Sequence, residues 1–270
     1  MIENFLSYGF LQRALISGIF IALACALLGV FLILRRDAMF AHGLAHVTFA
    51  GVALGLFLHM MPLVVALFIA ILAALGILLL KKKAGLYGDT AIGILSSVGM
   101  AVGILLASLA RSFNVDLFSY LFGEILAIET SEVLLSIGLV IAVLLIVIIY
   151  YHKFLYLTFD SESAKASGIK VYRLDILLSV LTAVTVVLGM KVVGLLLVAA
   201  LVVIPAAAAL QISGSFKGAL IISSLVAAVS VVLGLFLAFY LDLPASATIV
   251  LLCFFLFIVF FCLKRIKKVS

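Results

Sequence analysis

Val133–Tyr150 reads VLLSIGLVIAVLLIVIIY, 18 residues without a charge. An α-helix of that length rises about 27 Å, close to the roughly 30 Å of hydrocarbon in a bilayer, and it satisfies its own backbone N–H and C=O groups. Thr248–Cys262, TIVLLCFFLFIVFFC, has the same character. A membrane barrel strand would alternate apolar and polar residues; neither stretch alternates, so both read as helices. Similar runs lie at 13–34, 39–58, 62–80, 90–110, 131–151, 173–190, 193–210, 217–240 and 246–263. The sequence therefore predicts an all-α polytopic bundle forming one transmembrane domain over 1–270. The expected count is nine spans, with eight as the alternative, and it turns on the short pair 173–190 and 193–210. Residues 116–128 are apolar but too short to cross, and Gly123 and Glu124 suit a re-entrant or interfacial helix packed against protein.

Composition agrees with lipid as the solvent. Of 270 residues, 68% are hydrophobic and 10% charged, and mean hydropathy is +1.53, where soluble domains carry about 25% charged residues. The net charge of +6 does not point to nucleic acid. The basic residues form short clusters between apolar runs: Arg35-Arg36, Lys81–Lys83, and Lys264-Arg265 with Lys267-Lys268. Such clusters set topology. With the N-terminus outside, the inside connections also gather Lys153, Lys165, Lys170, Arg173 and Lys217. The outside ones hold Arg13, Arg111 and Lys191 with Glu3, Asp116, Glu129, Glu132 and Asp242. The expected location is thus the cell membrane, N-terminus outside and C-terminus cytoplasmic. Met1–Gly9 has no basic residue before the first run, which is expected to be a retained helix. Cys25, Cys253 and Cys262 lie in apolar runs without CxxC spacing and read as small buried hydrophobes.

No phosphate-cradling G-x-x-x-x-G-K-[ST] is present, nor HExxH, nor a nucleophile with a plausible base. The chain is therefore expected to move or anchor something and not to catalyse. Its most informative stretch is RRDAMFAHGLAHVTFAGVALG, Arg35–Gly55. His42 and His46 are four apart and share one helix face. Counting the rise from Arg36 puts them about 9 and 15 Å deep, and ionisable groups there are costly and usually functional. Two neutral imidazoles at that spacing can chelate a borderline-soft divalent cation. The alternative is that each imidazole bonds a carbonyl on a neighbouring helix. Gly43, Ala45, Gly51, Ala53 and Gly55 also permit close helix approach.

His59, beside Met60, Met61 and Pro62, falls at an outer turn, where it attracts metal or simply meets the interface. His152 borders the inner loop and reads as interfacial. Asp89 suits an N-cap. Glu124 and Asp116 flank the short outer segment, where Glu124 lines a vestibule or simply faces water, and Asp242 and Ser246 flank a turn at Pro244. Pro205 breaks a backbone hydrogen bond in the seventh span and kinks it. The longest polar stretch, Thr158–Arg173, contains a helix-compatible Ser161–Ser167 stopped by Gly168.

In order, RRDAMFAHGLAHVTFAGVALG, GDTAIGI, VDLFSYLFGEILAI, TFDSESAKASGIKV and VGLLLVAALVVIPAAAA resemble the permease subunit of metal-type ABC importers, which take up zinc or manganese. The resemblance spans essentially the whole chain. It implies a homodimer in the membrane lipid, an extracytoplasmic metal-binding protein, and an ATP-binding subunit on the cytoplasmic side. It also implies no permanent cofactor. TFDSESAKASGIKV matches the segment that grips the ATPase, with Asp160, Glu162, Ala164 and Gly168 at its recurrent positions. The family pattern around the histidines is G-D-x-[LI]-[AS]-H; here His42 stands at the Asp position and His46 at the His. Nitrogen in place of oxygen favours zinc over manganese, and VDLFSYLFGEILAI resembles the zinc members. Manganese or iron import is the alternative within the family, and an ATP-independent channel or carrier is the alternative outside it.

Overall fold

The computed structural model describes residues 8–83, 85, 88–109, 120, 123 and 128–269. Asp116, Glu124 and most of the expected re-entrant segment lie outside that set. All regular structure among the described residues is helical, and eleven helices can be traced. They are α1 (Gly9–Leu34), α2 (Phe40–Phe57), α3 (Pro62–Lys83), α4 (Gly88–Leu109), α5 (Thr130–Ile149), α6 (Tyr151–Phe159), α7 (Ser161–Ala166), α8 (Val171–Val193), α9 (Leu195–Ile212), α10 (Phe216–Leu241) and α11 (Ala245–Val269). Nine of them, all but α6 and α7, are long and apolar enough to cross a bilayer. The short pair is two helices, joined by Gly194 alone at φ +88°.

α1, α2 and α8 form the interior. In α1 and α2, 72% of the most apolar window is buried, against 17% in α4 and α11. α1 packs on α5, α8, α9 and α10, while α2 is gripped between α3 and α4. α8 bridges the two groups, touching α1, α2, α3, α5 and α9. Without a hydrophobic force between helices in lipid, small residues at the crossings do much of the work. A Cβ at Gly51 of α2 would lie 2.6 Å from the Ala66 Cα, and one at Gly99 of α4 would lie 2.8 Å from the Val47 Cα. The large apolar side chains of α11, such as Leu251 and Phe255, stay exposed, as lipid-facing residues do.

Each described ion pair joins two residues at the same end of the bundle. Arg35 pairs with Asp175, and Lys81 with Asp37, at the end rich in Lys and Arg; Lys191 pairs with Glu132 at the other. α1 and α2 are joined by a tight turn. Arg36 adopts φ +60°, and the Asp37 N–H donates to the Leu32 carbonyl at 2.8 Å, a Schellman closure.

Three local features depart from the sequence reading. α1 begins at Gly9 and carries Arg13 inside its first turns, half-buried; a long stem lets an arginine lie along apolar surface. Asp89 sits within the first turn of α4 and not before it. The expected inside loop is mostly helix: α6 follows α5 after a break at Tyr150 and runs through Thr158 to Phe159. Phe154 and Leu157 are its buried face. The Phe154 ring meets Phe31 of α1 at 5.4 Å between centroids, and Phe31 meets Phe216 of α10 at 5.3 Å. This aromatic cluster seats α6 on the bundle.

Candidate functional site

His42 and His46 project from the first turns of α2. Helical periodicity separates them from Gly43, Val47 and Ala50, which meet α4, and from Gly51 and Gly55, which meet α3. Their stripe is left half-buried, and one helix turn further along it is closed by Phe49, 6% exposed, and Ala53, fully buried. The two Nε2 atoms face each other at 3.1 Å, with the rings 4.6 Å apart and at 89°. Such a contact needs one nitrogen to donate its N–H and the other to present a bare lone pair. Replacing that shared proton by a cation requires little movement. With Zn–N bonds of about 2.0–2.1 Å, a tetrahedral angle separates two nitrogens by about 3.3 Å.

The alternative of imidazole–carbonyl bonds to neighbouring helices finds no support among the described residues. The Nδ1 of His46 is buried and has no hydrogen-bond partner there. Metal-bound histidines almost always donate that second N–H to an acceptor, so a cation held at His46 would lack this reinforcement. Among the described residues no group of three or more His, Cys, Asp or Glu forms a ready cage. The histidines also lie nearer the basic end than the count from Arg36 suggests. α2 starts only at Phe40, because residues 35–39 are spent on the turn, and His46 is about 9 Å of helical rise from that start.

His59 is exposed in the α2–α3 turn, at φ +53°. Its N–H donates to Leu56 O at 3.1 Å and the Met60 N–H to Gly55 O at 2.9 Å, so it closes α2 as a C-terminal cap. It lies about 20 Å of helical rise from His46, and the structure does not bring them together. His152 is exposed on α6, its ring against Tyr151.

At the basic end α7 forms a compact surface element. Asp160 caps it, its carboxylate accepting from the backbone N–H of Glu162 at 3.1 Å and of Ser163 at 2.9 Å. The Ser163 hydroxyl, foremost, and these amides hold the Asp160 carboxyl below its ordinary pKa. Ala164 is fully buried and anchors the helix, while Glu162 faces outward. Gly168, at φ +80°, ends it, with the Ile169 N–H donating to Ala164 O at 3.1 Å. All four positions singled out in this segment thus lie on one capped helix and its stop.

One long-range contact escaped the sequence reading. Arg35 and Asp175 are 140 positions apart, yet their side chains pair across the α1–α8 boundary. Asp175 lies just past the α7–α8 connection, and no local motif signals it.

The profile of the ABC 3 transport family matches residues 7–264. The manganese transport system membrane protein MntC of Listeria innocua is 34% identical over 260 residues, covering 96% of this chain and 92% of that protein. The high-affinity zinc uptake system membrane protein ZnuB of Haemophilus influenzae is 33% identical over 246 residues, covering 91% and 94%. Among solved structures, PsaBC from Streptococcus pneumoniae in complex with Fab superposes with a TM-score of 0.86 at 35% identity, covering 97% of this chain and 95% of that one. With nine helices among its described residues long and apolar enough to cross a bilayer, and matched along nearly its whole length by the profile, by these relatives and by that structure, the chain belongs to the ABC 3 transport family.

Proposed function

We propose that this chain is the membrane-spanning permease of an ATP-driven importer for a first-row divalent metal ion, and that His42 and His46 are ligands on the ion's path. The observation that carries the reading is the 3.1 Å meeting of their Nε2 atoms at the position where the family resemblance expects an Asp and a His. The unreinforced Nδ1 of His46 suits a ligand that must release its ion. The basic end, with Lys81–Lys83 and α6–α7, is cytoplasmic by the positive-inside rule, and α7 is the surface presented to the ATP-binding subunit. The delivering protein docks at the opposite end. Two copies of the permease, each offering two nitrogens, would supply the four-coordinate nitrogen set that zinc prefers.

Zinc is the proposed cargo because imidazole suits it, while carboxylate and water suit manganese. Manganese is the second reading, favoured by the name of the Listeria innocua relative. The discriminating experiment is uptake into proteoliposomes holding the permease, its ATPase and its metal-binding protein, with each metal supplied alone and in competition. ATP-dependent zinc uptake resisting a tenfold excess of manganese supports the reading. Preferred manganese uptake transfers the assignment to the second reading, and uptake without the ATPase overturns the importer class.

A further inference from the structure

We propose that Arg35–Asp175 and Asp37–Lys81 form a two-joint linkage that carries movement of the α7 segment to the histidine-bearing helix α2, making these four residues positioning residues for transport. The proposal rests on the assignment of α7 as the ATPase-contacting surface.

The chain of contacts is short. α7 is tied to its connection with α8 by the Ile169 N–H donating to Ala164 O at 3.1 Å, and that connection is held to the first turn of α8 by Val171 N–H to Ile169 O at 2.8 Å and Arg173 N–H to Lys170 O at 3.0 Å. A push on α7 therefore displaces the first turns of α8, where Tyr172 and Asp175 stand. Asp175 accepts from the Arg35 guanidinium, and Tyr172 receives the Lys82 ammonium 4.3 Å from its ring centroid. Arg35 opens the α1–α2 turn, and two residues on Asp37 accepts from the Lys81 Nζ at 2.6 Å. A Cβ at Gly88 would lie 3.0 Å from the same Asp37 carboxylate oxygen, so the start of α4 abuts this joint. Phe40 donates its N–H to Asp37 O at 3.0 Å, which fixes the entry of α2, and His42 follows five residues after Asp37.

The joints are sheltered enough to act as mechanical links. The side chains of Arg35, Asp175 and Asp37 are 17, 18 and 13% exposed, and that of Lys81 is 29% exposed. Exposed ion pairs are worth little because water competes for both partners. Sheltered ones resist separation, since a lone charge is left poorly solvated. Arg35 also presents a planar fork that fixes direction as well as charge. Sequence separation is informative too: these contacts tie the α1–α2 turn directly to residues 44 and 140 positions away, in α3 and α8.

The test uses the reconstituted complex of permease, ATPase and metal-binding protein. It reads the number of metal ions imported per ATP hydrolysed, alongside thermal stability and recovery of the ATPase with the permease. The variants are Asp175→Asn, Asp37→Asn, and the swap Arg35→Asp with Asp175→Arg. Asp175→Asn and Asp37→Asn are expected to keep at least half of the ATP hydrolysis while import per ATP falls about tenfold; the swap restores it at least threefold over Asp175→Asn. Arg35→Lys keeps the charge without the fork and is read in the same way should another variant fail to assemble. An unchanged ratio in Asp175→Asn and in Arg35→Lys overturns the linkage, as does a swap no better than Asp175→Asn. A parental complex that neither hydrolyses ATP nor imports metal would instead refute the proposed function.

Discussion

Gly99→Ala tests how the histidine pair is held. A Cβ at this position of α4 would sit 2.8 Å from both the Val47 Cα and Cγ2 and 3.1 Å from the Val47 N. Non-bonded carbons settle at about 3.5–4.0 Å, so α4 must move away from α2 by about 0.7–1.2 Å beside His46. The obstacle is backbone, so no rotamer change relieves it. Overpacking of this kind costs about 1–3 kcal/mol. At about 2–4 °C per kcal/mol for a chain of this length, the melting temperature of the purified permease should fall by several degrees. Import should fall further, because displacement at Val47 also alters the neighbouring imidazole. Gly93→Ala, on the same helix but with no atom within 4 Å of the new Cβ, is the control and should melt with or slightly above the parent. Equal melting temperatures for Gly99→Ala and Gly93→Ala would refute the packing argument.

Further outcomes follow from other parts of the molecule. His46→Ala should abolish most metal uptake in cells at unchanged membrane levels; normal accumulation would remove His46 from the path. Gly168→Ala should weaken recovery of the ATPase with the permease, because a Cβ at φ +80° costs about 1–2 kcal/mol, while the open surroundings add no steric term. Asp160→Ala should weaken the same association by uncapping α7. The Asp160 carboxyl is held below its ordinary pKa, so the charged cap is fully present above the ordinary carboxylate range and is lost only as pH falls through its lowered value. The advantage of the parent over Asp160→Ala in binding the ATPase should therefore be constant from pH 8 to 5. For sidedness, a cysteine at His59 should react with an impermeant thiol reagent in intact cells, and one at Lys165 only after permeabilisation; the reverse pattern would invert the topology.

The spans were legible in the sequence because lipid demands long uninterrupted apolar runs, and Val133–Tyr150 or Thr248–Cys262 can satisfy that demand in one way only. The histidine pair was legible because helical spacing alone puts positions 42 and 46 together. The stop at Gly168 followed from the freedom glycine has at positive φ. α6 was missed because Tyr151, His152 and Lys153 resemble a polar loop, and its buried face is only Phe154 and Leu157, too short a pattern to separate from chance. The helical rise from the basic end to His46 is shorter than the count from Arg36 because residues 35–39 form a turn and not helix. Arg35–Asp175 was out of reach, since pairing across 140 residues depends on how α1 and α8 pack and leaves no local trace.

The central claim is that two nitrogens on α2 set the preference for the transported ion. The most direct test is the ratio of zinc to manganese uptake by the reconstituted complex carrying His42→Asp, which places an oxygen donor where the family resemblance expects one. The account predicts a ratio about tenfold or more below that of the parent, with transport retained. A ratio unchanged from the parent, at comparable rates, would contradict it.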